Sequence, residues 1–209
     1  MSPVPVGDAI SRLETEGLIE SRPRAGTRVR IAAAEEVRGN YVLREALETH
    51  SARLFTEGAT PALRSRVVRA AEWIDTAYQA LAAMPEYSAA SHARVERAHN
   101  AFHLLIAKAT RVPVLIDAVE RSRVLLFNWV FTLNEELSKF PDRWHADLAD
   151  VLVHGTPEEA AEAMRMHVRF RQAEVIARFR SMTAERAAQP RMVRGPQRGK
   201  LSRNAACLL

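Results

Sequence analysis

The sequence predicts an all-α protein for most of its length, for three reasons. Ala, Leu, Arg, Glu and Val dominate the 209 residues and aromatic residues make up 6%, a composition that favours helices over sheets. Apolar residues recur at helical spacing from Ala32 to about residue 181. Pro and Gly residues divide this region into six predicted helices, which we expect to pack as one antiparallel bundle. The helices lie near 35–57, 60–84, 88–110, 112–134, 138–154 and 157–181.

The segment before the bundle predicts one helix followed by a β-hairpin. Val6, Ile10 and Leu13 lie at helical spacing, and Gly17 is suited to end this helix. Two short extended segments follow, near 18–21 and 27–31, and a turn that contains Pro and Gly separates them. One helix and one hairpin bury too little surface to fold alone. We therefore assign residues 1–31 to a partial domain.

Local signals mark the helix boundaries of the bundle. Thr60 and Thr156 are candidate N-cap residues, each followed by a proline, and two glutamates occupy the first turn after Thr156. Other boundaries fall at Pro113, Pro141 and Gly155. The bundle is assigned to residues 32–181.

Residues 182–209 are predicted to form a disordered basic tail. The segment contains Pro, Gly, Arg and Gln without periodicity. Its six basic residues and one acid account for the whole formal net charge of +5, so the basic character belongs to the tail and not to the bundle. A solvated terminus and a frameshifted read-through would both have this composition.

The sequence favours a cytoplasmic protein without a membrane partner. No apolar run approaches the roughly 20 residues needed to cross a bilayer. The N-terminus lacks the basic and apolar regions of a signal peptide. The single cysteine, Cys207, cannot form an internal disulfide, which fits a reducing compartment.

Residues 2–29 carry a distinctive pattern. It consists of Ser and Pro-Val, then acid-Ala-aliphatic, Arg-Leu, Glu-Gly-Leu and an Arg-x-x-Gly-Thr turn. This pattern resembles the recognition helix and wing of GntR-family winged helix-turn-helix domains, and the resemblance, to the FCD branch of that family, continues to about residue 181. It implies a partial winged helix-turn-helix followed by an FCD-type bundle. The expected function is that of a ligand-responsive DNA-binding repressor, active as a homodimer.

The same resemblance implies which residues contact operator DNA. At two positions where the family usually has arginines this chain has Pro3 and Gly7, and a bidentate arginine contact to guanine is worth roughly 1–3 kcal/mol. The family's DNA-binding domain also has two helices before the recognition helix, so we expect a truncated domain with weakened specific binding. The remaining candidates are Pro5, Val6, Arg12, Arg22, Arg24 and Thr27. The alternative is that these arginines are ordinary exposed side chains.

Histidines form the main candidate ligand site. His99 and His103 are four residues apart, so both rings project from one face of a predicted helix and could bind one metal ion. His145 and His167 lie on apolar stripes of two other helices and should also point inward. An inward histidine is often a hydrogen-bonded core residue. The residues alone therefore leave a core role and a metal site equally open.

The resemblance favours the metal site. FCD-type domains carry an Asp-x-x-Phe-His motif, a histidine that opens a late helix and a histidine in the final helix, and similar proteins use these positions to bind a divalent metal that helps hold a carboxylate effector. Here His99 stands at the Asp position, and His103, His145 and His167 match the others. An all-imidazole site suits Zn²⁺, Ni²⁺ or Cu²⁺ better than Mg²⁺, Ca²⁺ or Mn²⁺, and we expect Zn²⁺ or Ni²⁺. Tetrahedral Zn²⁺ would be closed by four imidazoles, whereas octahedral Ni²⁺ would keep two positions for an effector.

Arg44 is the candidate effector-binding residue. It matches an arginine that faces the ligand cavity in similar proteins, where it would pair bidentately with a carboxylate. The alternative is a surface arginine paired with Glu48 one turn away.

Two other functions remain open besides a regulator. One is an FCD fragment that binds metal and effector without specific DNA binding. The other is a metalloenzyme, since a histidine site can activate water. No inward carboxylate is recognised as a general base, and no phosphate-binding loop or nucleophile motif is present, so we expect no enzyme activity.

Overall fold

The computed structural model describes residues 3–22, 26–84, 88–131 and 139–188. A helix and a hairpin come first: α1 (Pro3–Thr15), β1 (Ile19–Arg22) and β2 (Gly26–Val29). The bundle follows: α2 (Ala34–Gly58), α3 (Pro61–Ala83), α4 (Ala89–Ala109), α5 (Pro113–Phe131), α6 (Trp144–His154), α7 (Pro157–Arg169) and α8 (Gln172–Ala188). The predicted fold class, a helical bundle preceded by a helix and a hairpin, is confirmed.

The end of α1 follows the prediction for Gly17. This glycine has φ +74°, a left-handed conformation that L side chains rarely adopt. The amides of Gly17 and Leu18 donate to the carbonyls of Glu14 and Leu13, both at 2.9 Å, which is the Schellman pattern of helix termination. The chain then enters the antiparallel hairpin, in which Ile19 is opposite Val29.

Helix α2 is the central element of the bundle. It packs against α4, α5, α6, α7 and α8. Its buried face carries the polar residues Asn40, Arg44 and Glu48 among apolar ones. Such residues are rarely buried unless they are paired, so the middle of α2 marks a functional region. The largest buried apolar side chains around it are Phe55, Ile74, Phe102, Ile106, Leu152, Met164 and Phe179.

The predicted helix starts at Thr60 and Thr156 are both found. The Thr60 hydroxyl accepts a hydrogen bond from the Leu63 amide. Thr156 forms a capping box with Glu159, in which each side chain bonds to the backbone amide of the other residue. These caps satisfy amides that have no partner within the helix.

Two predictions about the last helices need correction. The segment 157–181, expected as one helix, forms α7 and α8, which are separated at Phe170 and Arg171. The junction packs Phe170 against Phe140 and Trp144, with ring centroids 5.6 and 4.7 Å apart. In addition, α8 continues to Ala188 through an Ala-rich segment of high helix propensity, so residues 182–188 are helical. The rest of the predicted tail, 189–209, lies outside the described residues.

None of the helices in the described part of the chain is long and apolar enough to span a bilayer.

Candidate metal and effector site

The four histidines singled out from the sequence come together between α4, α6 and α7. The ring centroid of His99 lies 4.9 Å from that of His103 and 4.7 Å from that of His145. The ring of His167 lies 5.0 Å from those of His103 and His145. The ligand nitrogens of His99, His103 and His167 all lie within 4.8 Å of one another. His145 adjoins this group of three without belonging to it.

His103 is fixed by a buried carboxylate. Its Nδ1 lies 2.6 Å from Oε2 of Glu48. Burial would raise the pKa of Glu48, but the charges of Arg44 and Arg123 and the contact with His103 outweigh burial and hold the pKa well below its usual range. The negative charge of Glu48 favours the neutral tautomer with its proton on Nδ1, although the two atoms do not have the geometry of a hydrogen bond. In that tautomer Nε2 keeps its lone pair.

His99 is held in the same tautomer by a tyrosine. The Tyr78 hydroxyl lies 2.6 Å from Oε1 of Glu96 and 3.1 Å from Nδ1 of His99. Burial would raise the pKa of Glu96, but its hydrogen bonds with His92, His99 and Tyr78 lower it well below the usual range. The Tyr78 hydroxyl must then donate to the ionised Glu96 and accept from Nδ1–H of His99. Nε2 of His99 is thus unprotonated as well.

These two free nitrogens face each other. Nε2 of His99 and Nε2 of His103 are 3.0 Å apart. One neutral ring that carries its proton on Nε2 could donate a hydrogen bond across this gap. The tautomers favoured by Glu48 and Tyr78 instead leave two lone pairs, which a cation would have to bridge. Burial lowers the pKa of His99 to about 3 and that of His103 well below its usual value, so a proton does not supply this cation at neutral pH.

A divalent metal fits the pair of nitrogens. Metal–imidazole bonds are about 2.0–2.1 Å long, so a single ion could bind both nitrogens. The donor set is compatible with an ion that keeps open positions.

His145 is oriented by Asp75 of α3. Its Nδ1 lies 2.6 Å from Oδ1 of Asp75, and the same carboxylate accepts the backbone amides of His145 and Ala146 at 2.9–3.2 Å. The buried Nε2 of His145 has no hydrogen-bond partner among the described residues. A histidine with a carboxylate on one nitrogen and an unprotonated second nitrogen has the usual arrangement of a metal ligand.

His167 lacks such a partner. It is 6% exposed, and neither of its ring nitrogens has a hydrogen-bond partner in the described part of the chain. Its ring stacks on Trp144 at 5.4 Å and 16°. Burial and the neighbouring histidines lower its pKa well below the usual value, so it is neutral. Leaving a buried polar atom unsatisfied costs about 1–3 kcal/mol, which a bound ion would offset.

A cavity that is partly open to solvent adjoins the histidines, and its empty space of about 710 Å³ includes part of the solvent outside. Three arginines, one glutamate, two of the clustered histidines and several apolar residues line it. They are Tyr41, Arg44, His92, Glu96, His99, Asn100, Arg123, Leu126, Val130, Phe140, His167, Val168, Arg171 and Val175.

Arg44 has features of both interpretations made from the sequence, the cavity residue and the partner of Glu48. It pairs with Glu48 one turn away, with Nε 2.8 Å from Oε1. However, it is 6% exposed and belongs to the cavity wall, so it is not a surface arginine.

Sequence reasoning missed most of the residues that surround the histidines. The sequence indicated no inward carboxylate spaced to act as a general base, and in the structure Glu48, Asp75 and Glu96 all contact the histidines. Helical spacing links Glu48 to Arg44 and Glu96 to His99, so it could have indicated both. Trp144 directly precedes His145 and Arg171 follows His167 by four residues, which are local signals as well. The remaining residues have no such signal: Asp75, Tyr78, Arg123 and Phe140.

The candidate DNA contacts lie apart from this site, on α1 and the hairpin. The side chain of Arg12 is 82% exposed and pairs with Glu16, and that of Arg22 is 53% exposed. The Thr27 hydroxyl bonds to Ser21 across the hairpin at 2.9 Å. Pro5 and Val6 are exposed on α1. Arg24 lies outside the described residues.

Comparison with known proteins shows to which family the chain belongs. The FCD domain family matches residues 40–170, more than half of the chain, including Arg44 and all four histidines. The chain belongs to the FCD domain family. This confirms the relationship predicted from the sequence, and it agrees with the expectation that this FCD protein is not an enzyme.

Solved structures share the fold of the FCD protein. A GntR-family transcriptional regulator from Pseudomonas syringae pv. tomato is 22% identical, with a TM-score of 0.54 over 89% of this chain and 74% of that one. McbR/YncC of E. coli is 18% identical, with a TM-score of 0.64 over 90% and 82%. Lar, which controls expression of the Listeria monocytogenes agr system and mediates virulence, is 14% identical, with a TM-score of 0.54 over 87% and 81%. No curated protein matches the sequence.

Proposed function

We propose that this FCD protein is a ligand-responsive, DNA-binding transcriptional repressor that senses a small carboxylate with the help of a bound divalent metal. The observation that carries this proposal is the 3.0 Å approach of Nε2 of His99 to Nε2 of His103, in a cluster of four histidines beside a cavity lined by arginines. A cation held by these nitrogens next to arginines would make a site for an anion.

The metal would be held by His99, His103, His145 and His167. Three of the four are oriented by oxygen partners on Nδ1, and burial keeps all four neutral, so protons do not compete for the nitrogens at neutral pH. When bound, the metal would act as a Lewis acid toward the effector carboxylate. Neutral nitrogen ligands favour Ni²⁺ or Zn²⁺, and Ni²⁺ would keep positions for an effector besides four histidines.

The charges of the cavity support an anionic effector. Arg44 and Arg123 share the buried carboxylate of Glu48, and Arg171 adds a third positive charge on the wall. With Glu96 as the opposing charge there, the site is net positive even before a divalent ion is added. A carboxylate would compensate this excess.

Regulation would act through a homodimer. Residues 1–31 would supply the operator contacts, with Pro5, Val6, Arg12, Arg22, Arg24 and Thr27 as candidates. Effector binding in the bundle would shift the spacing of the two DNA-binding segments of a dimer. The Arg30–Glu36 ion pair and the hydrogen bond from the Arg30 amide to Leu18 join the hairpin to the start of α2.

The test of the metal site is a titration with Ni²⁺ and Zn²⁺. Trp144 stacks on His167, so Ni²⁺ should quench its fluorescence. We expect His103→Ala to weaken Ni²⁺ binding by at least about tenfold to a hundredfold, because even the loss of an outer partner has that effect. His50→Ala, an exposed histidine on α2, is the matched control and should bind as the wild type does. Equal binding by both variants would contradict the site.

A second candidate is an effector- and metal-binding protein without specific DNA binding. The observation in its favour is that Val6 and Leu13 of α1 are 48% and 37% exposed, so the inner face of the recognition helix is poorly covered within the described residues. A regulator should shift a palindromic operator fragment, and a small carboxylate should change that shift. The second candidate should bind metal and carboxylate but leave the fragment unshifted.

A further inference from the structure

Arg171 differs from the other two arginines of the cavity wall. Arg44 and Arg123 both donate to Glu48, so one buried carboxylate compensates much of their charge. The guanidinium carbon of Arg171 instead lies 3.6 Å from the centroid of the Phe140 ring. Its buried Nε has no hydrogen-bond partner among the described residues. A stacked guanidinium is fixed in orientation, and this one keeps a donor for an anion.

The position of Arg171 connects it to the histidine cluster. It follows His167 by four residues, at the junction of α7 and α8, and both residues line the cavity. Burial lowers the pKa of Arg171, and an anion in the cavity would offset this cost. An anion held by Arg171 would therefore occupy the same cavity as the metal ligands.

The other residues of the cavity wall indicate whether the rest of the ligand is polar or apolar. Five of its residues present aliphatic or aromatic side chains without polar atoms: Leu126, Val130, Phe140, Val168 and Val175. The uncharged hydrogen-bonding groups on the described wall, apart from histidines, are the Tyr41 hydroxyl and the Asn100 amide. A ligand with many hydroxyl groups would lose hydrogen bonds to water there and regain few. An apolar body would be buried favourably.

Glu96 argues against a second carboxylate on the ligand. Its carboxylate is half-buried, belongs to the same wall and lies 2.6 Å from the Tyr78 hydroxyl. A dianionic ligand would bring like charges together in a site of low dielectric constant.

We propose that Arg171 anchors the effector carboxylate, and that the effector is a monocarboxylate with a compact apolar body. This inference rests on the proposed carboxylate-sensing function, which it makes more specific. The main anchor is then Arg171 and not Arg44, because Nε of Arg44 is already bound to Glu48.

The test compares four monocarboxylates and one dicarboxylate on the Ni²⁺-loaded full chain by calorimetry. The monocarboxylates are 3-methylbutanoate and phenylacetate, which have apolar bodies, and glycerate and gluconate, which carry hydroxyl groups. The dicarboxylate, methylsuccinate, replaces one methyl group of 3-methylbutanoate by a second carboxylate. We expect 3-methylbutanoate or phenylacetate to bind at least about tenfold more tightly than the other three, because a polar or charged group without a partner is unfavourable in an apolar site.

Three variants test the anchor. Arg171→Gln should weaken 3-methylbutanoate binding by about tenfold to a hundredfold, the usual effect of losing a charge-assisted hydrogen bond. Arg171→Lys should restore part of it, since a lysine keeps the charge but not the planar stacked group. Arg169→Gln removes an arginine two residues away that pairs with Glu45 on the surface, and it should bind as the wild type does. Ni²⁺ affinity should stay unchanged in all three.

The outcomes separate this inference from the function on which it rests. Tighter binding of gluconate or methylsuccinate, or normal 3-methylbutanoate binding by Arg171→Gln, would overturn the inference and leave carboxylate sensing intact. If none of the five acids binds while Ni²⁺ does, both the inference and the carboxylate part of the proposed function fail.

Discussion

Oxygen atoms lie next to Nδ1 of three of the four clustered histidines. His99, His103 and His145 contact a tyrosine hydroxyl, a glutamate and an aspartate through this nitrogen. Each contact fixes the tautomer, so Nε2 keeps its lone pair. The resemblance implies an acidic residue at the position of His99. In this chain the nearby acid is Glu96, whose carboxylate contacts the Tyr78 hydroxyl, and that hydroxyl contacts Nδ1 of His99.

At the residue scale, we therefore expect Tyr78→Phe to weaken Ni²⁺ binding. The variant removes the acceptor of Nδ1–H of His99 and one of the hydrogen-bond partners of the half-buried Glu96. The loss should be about tenfold to a hundredfold, as for other outer partners of metal ligands. Ni²⁺ titration followed by Trp fluorescence measures it.

Tyr41→Phe is the matched control for this variant. Tyr41 is also a buried cavity residue, but it makes no contact with the histidine cluster in the described structure. It should keep wild-type Ni²⁺ affinity. A Tyr78→Phe protein with unchanged affinity would show that His99 does not need this orientation.

At the scale of elements, helix α7 begins at a strong N-terminal cap and ends at the histidine cluster. Its capping box, formed by Thr156 and Glu159, starts the helix that carries His167 near its last turn. His167 and Arg171 lie on either side of the end of this helix. The helix boundary, which periodicity did not predict, therefore falls at the cavity.

We expect Thr156→Ala to destabilise the protein through α7. The variant leaves the Glu159 amide without its partner, and the loss of such a cap usually costs about 1 kcal/mol. For a protein of this size that lowers Tm by roughly 2–4 °C, which circular dichroism can measure. Thr183→Ala, within α8, removes a bond from a hydroxyl to a backbone carbonyl of its own helix and should leave Tm nearly unchanged. Equal effects of the two variants would rule out a specific role of the cap.

At the scale of the whole molecule, the bundle brings together many titratable groups that resist protonation. Burial lowers the pKa of all four clustered histidines, to about 3 for His99. In the unfolded chain these histidines take up protons near pH 6.5. Below that pH the unfolded state binds more protons than the folded state, so folding stability falls as the pH falls. The lowered pKa values of Glu48 and Glu96 act in the same direction below about pH 4.5.

The metal-free protein should therefore lose stability on acidification. Its Tm should be nearly constant from pH 8 to 7 and fall progressively below pH 6.5, since each neutral buried histidine contributes up to about 1.4 kcal/mol per pH unit. Thermal unfolding in the presence of a chelator measures this. The His103→Ala variant should show a weaker dependence because it has one such group fewer. A Tm that stays flat down to pH 5.5 would contradict the buried, neutral state of the histidines.

The sequence alone determined the helices, their caps and the pair of histidines on α4. Helical periodicity, Thr-Pro starts and Gly17 are local signals, because the contacts behind them lie within a few residues of the chain. The spacing of His99 and His103 placed both rings on one helix face for the same reason. The resemblance extended this pair to His145 and His167, which residue spacing could not link.

The tertiary structure decided how the site is completed. Asp75, Tyr78 and Arg123 lie on helices other than the one carrying His99, and no periodic pattern links them to that histidine. Arg171 lies at the junction of α7 and α8. Their contacts depend on how α3, α5, α6 and α8 pack around α2 and α4. Packing also decided that Arg44 is buried against Glu48, and that the last predicted helix divides at Phe170. Such long-range contacts depend on shape and burial across the bundle, which the local order of residues does not encode.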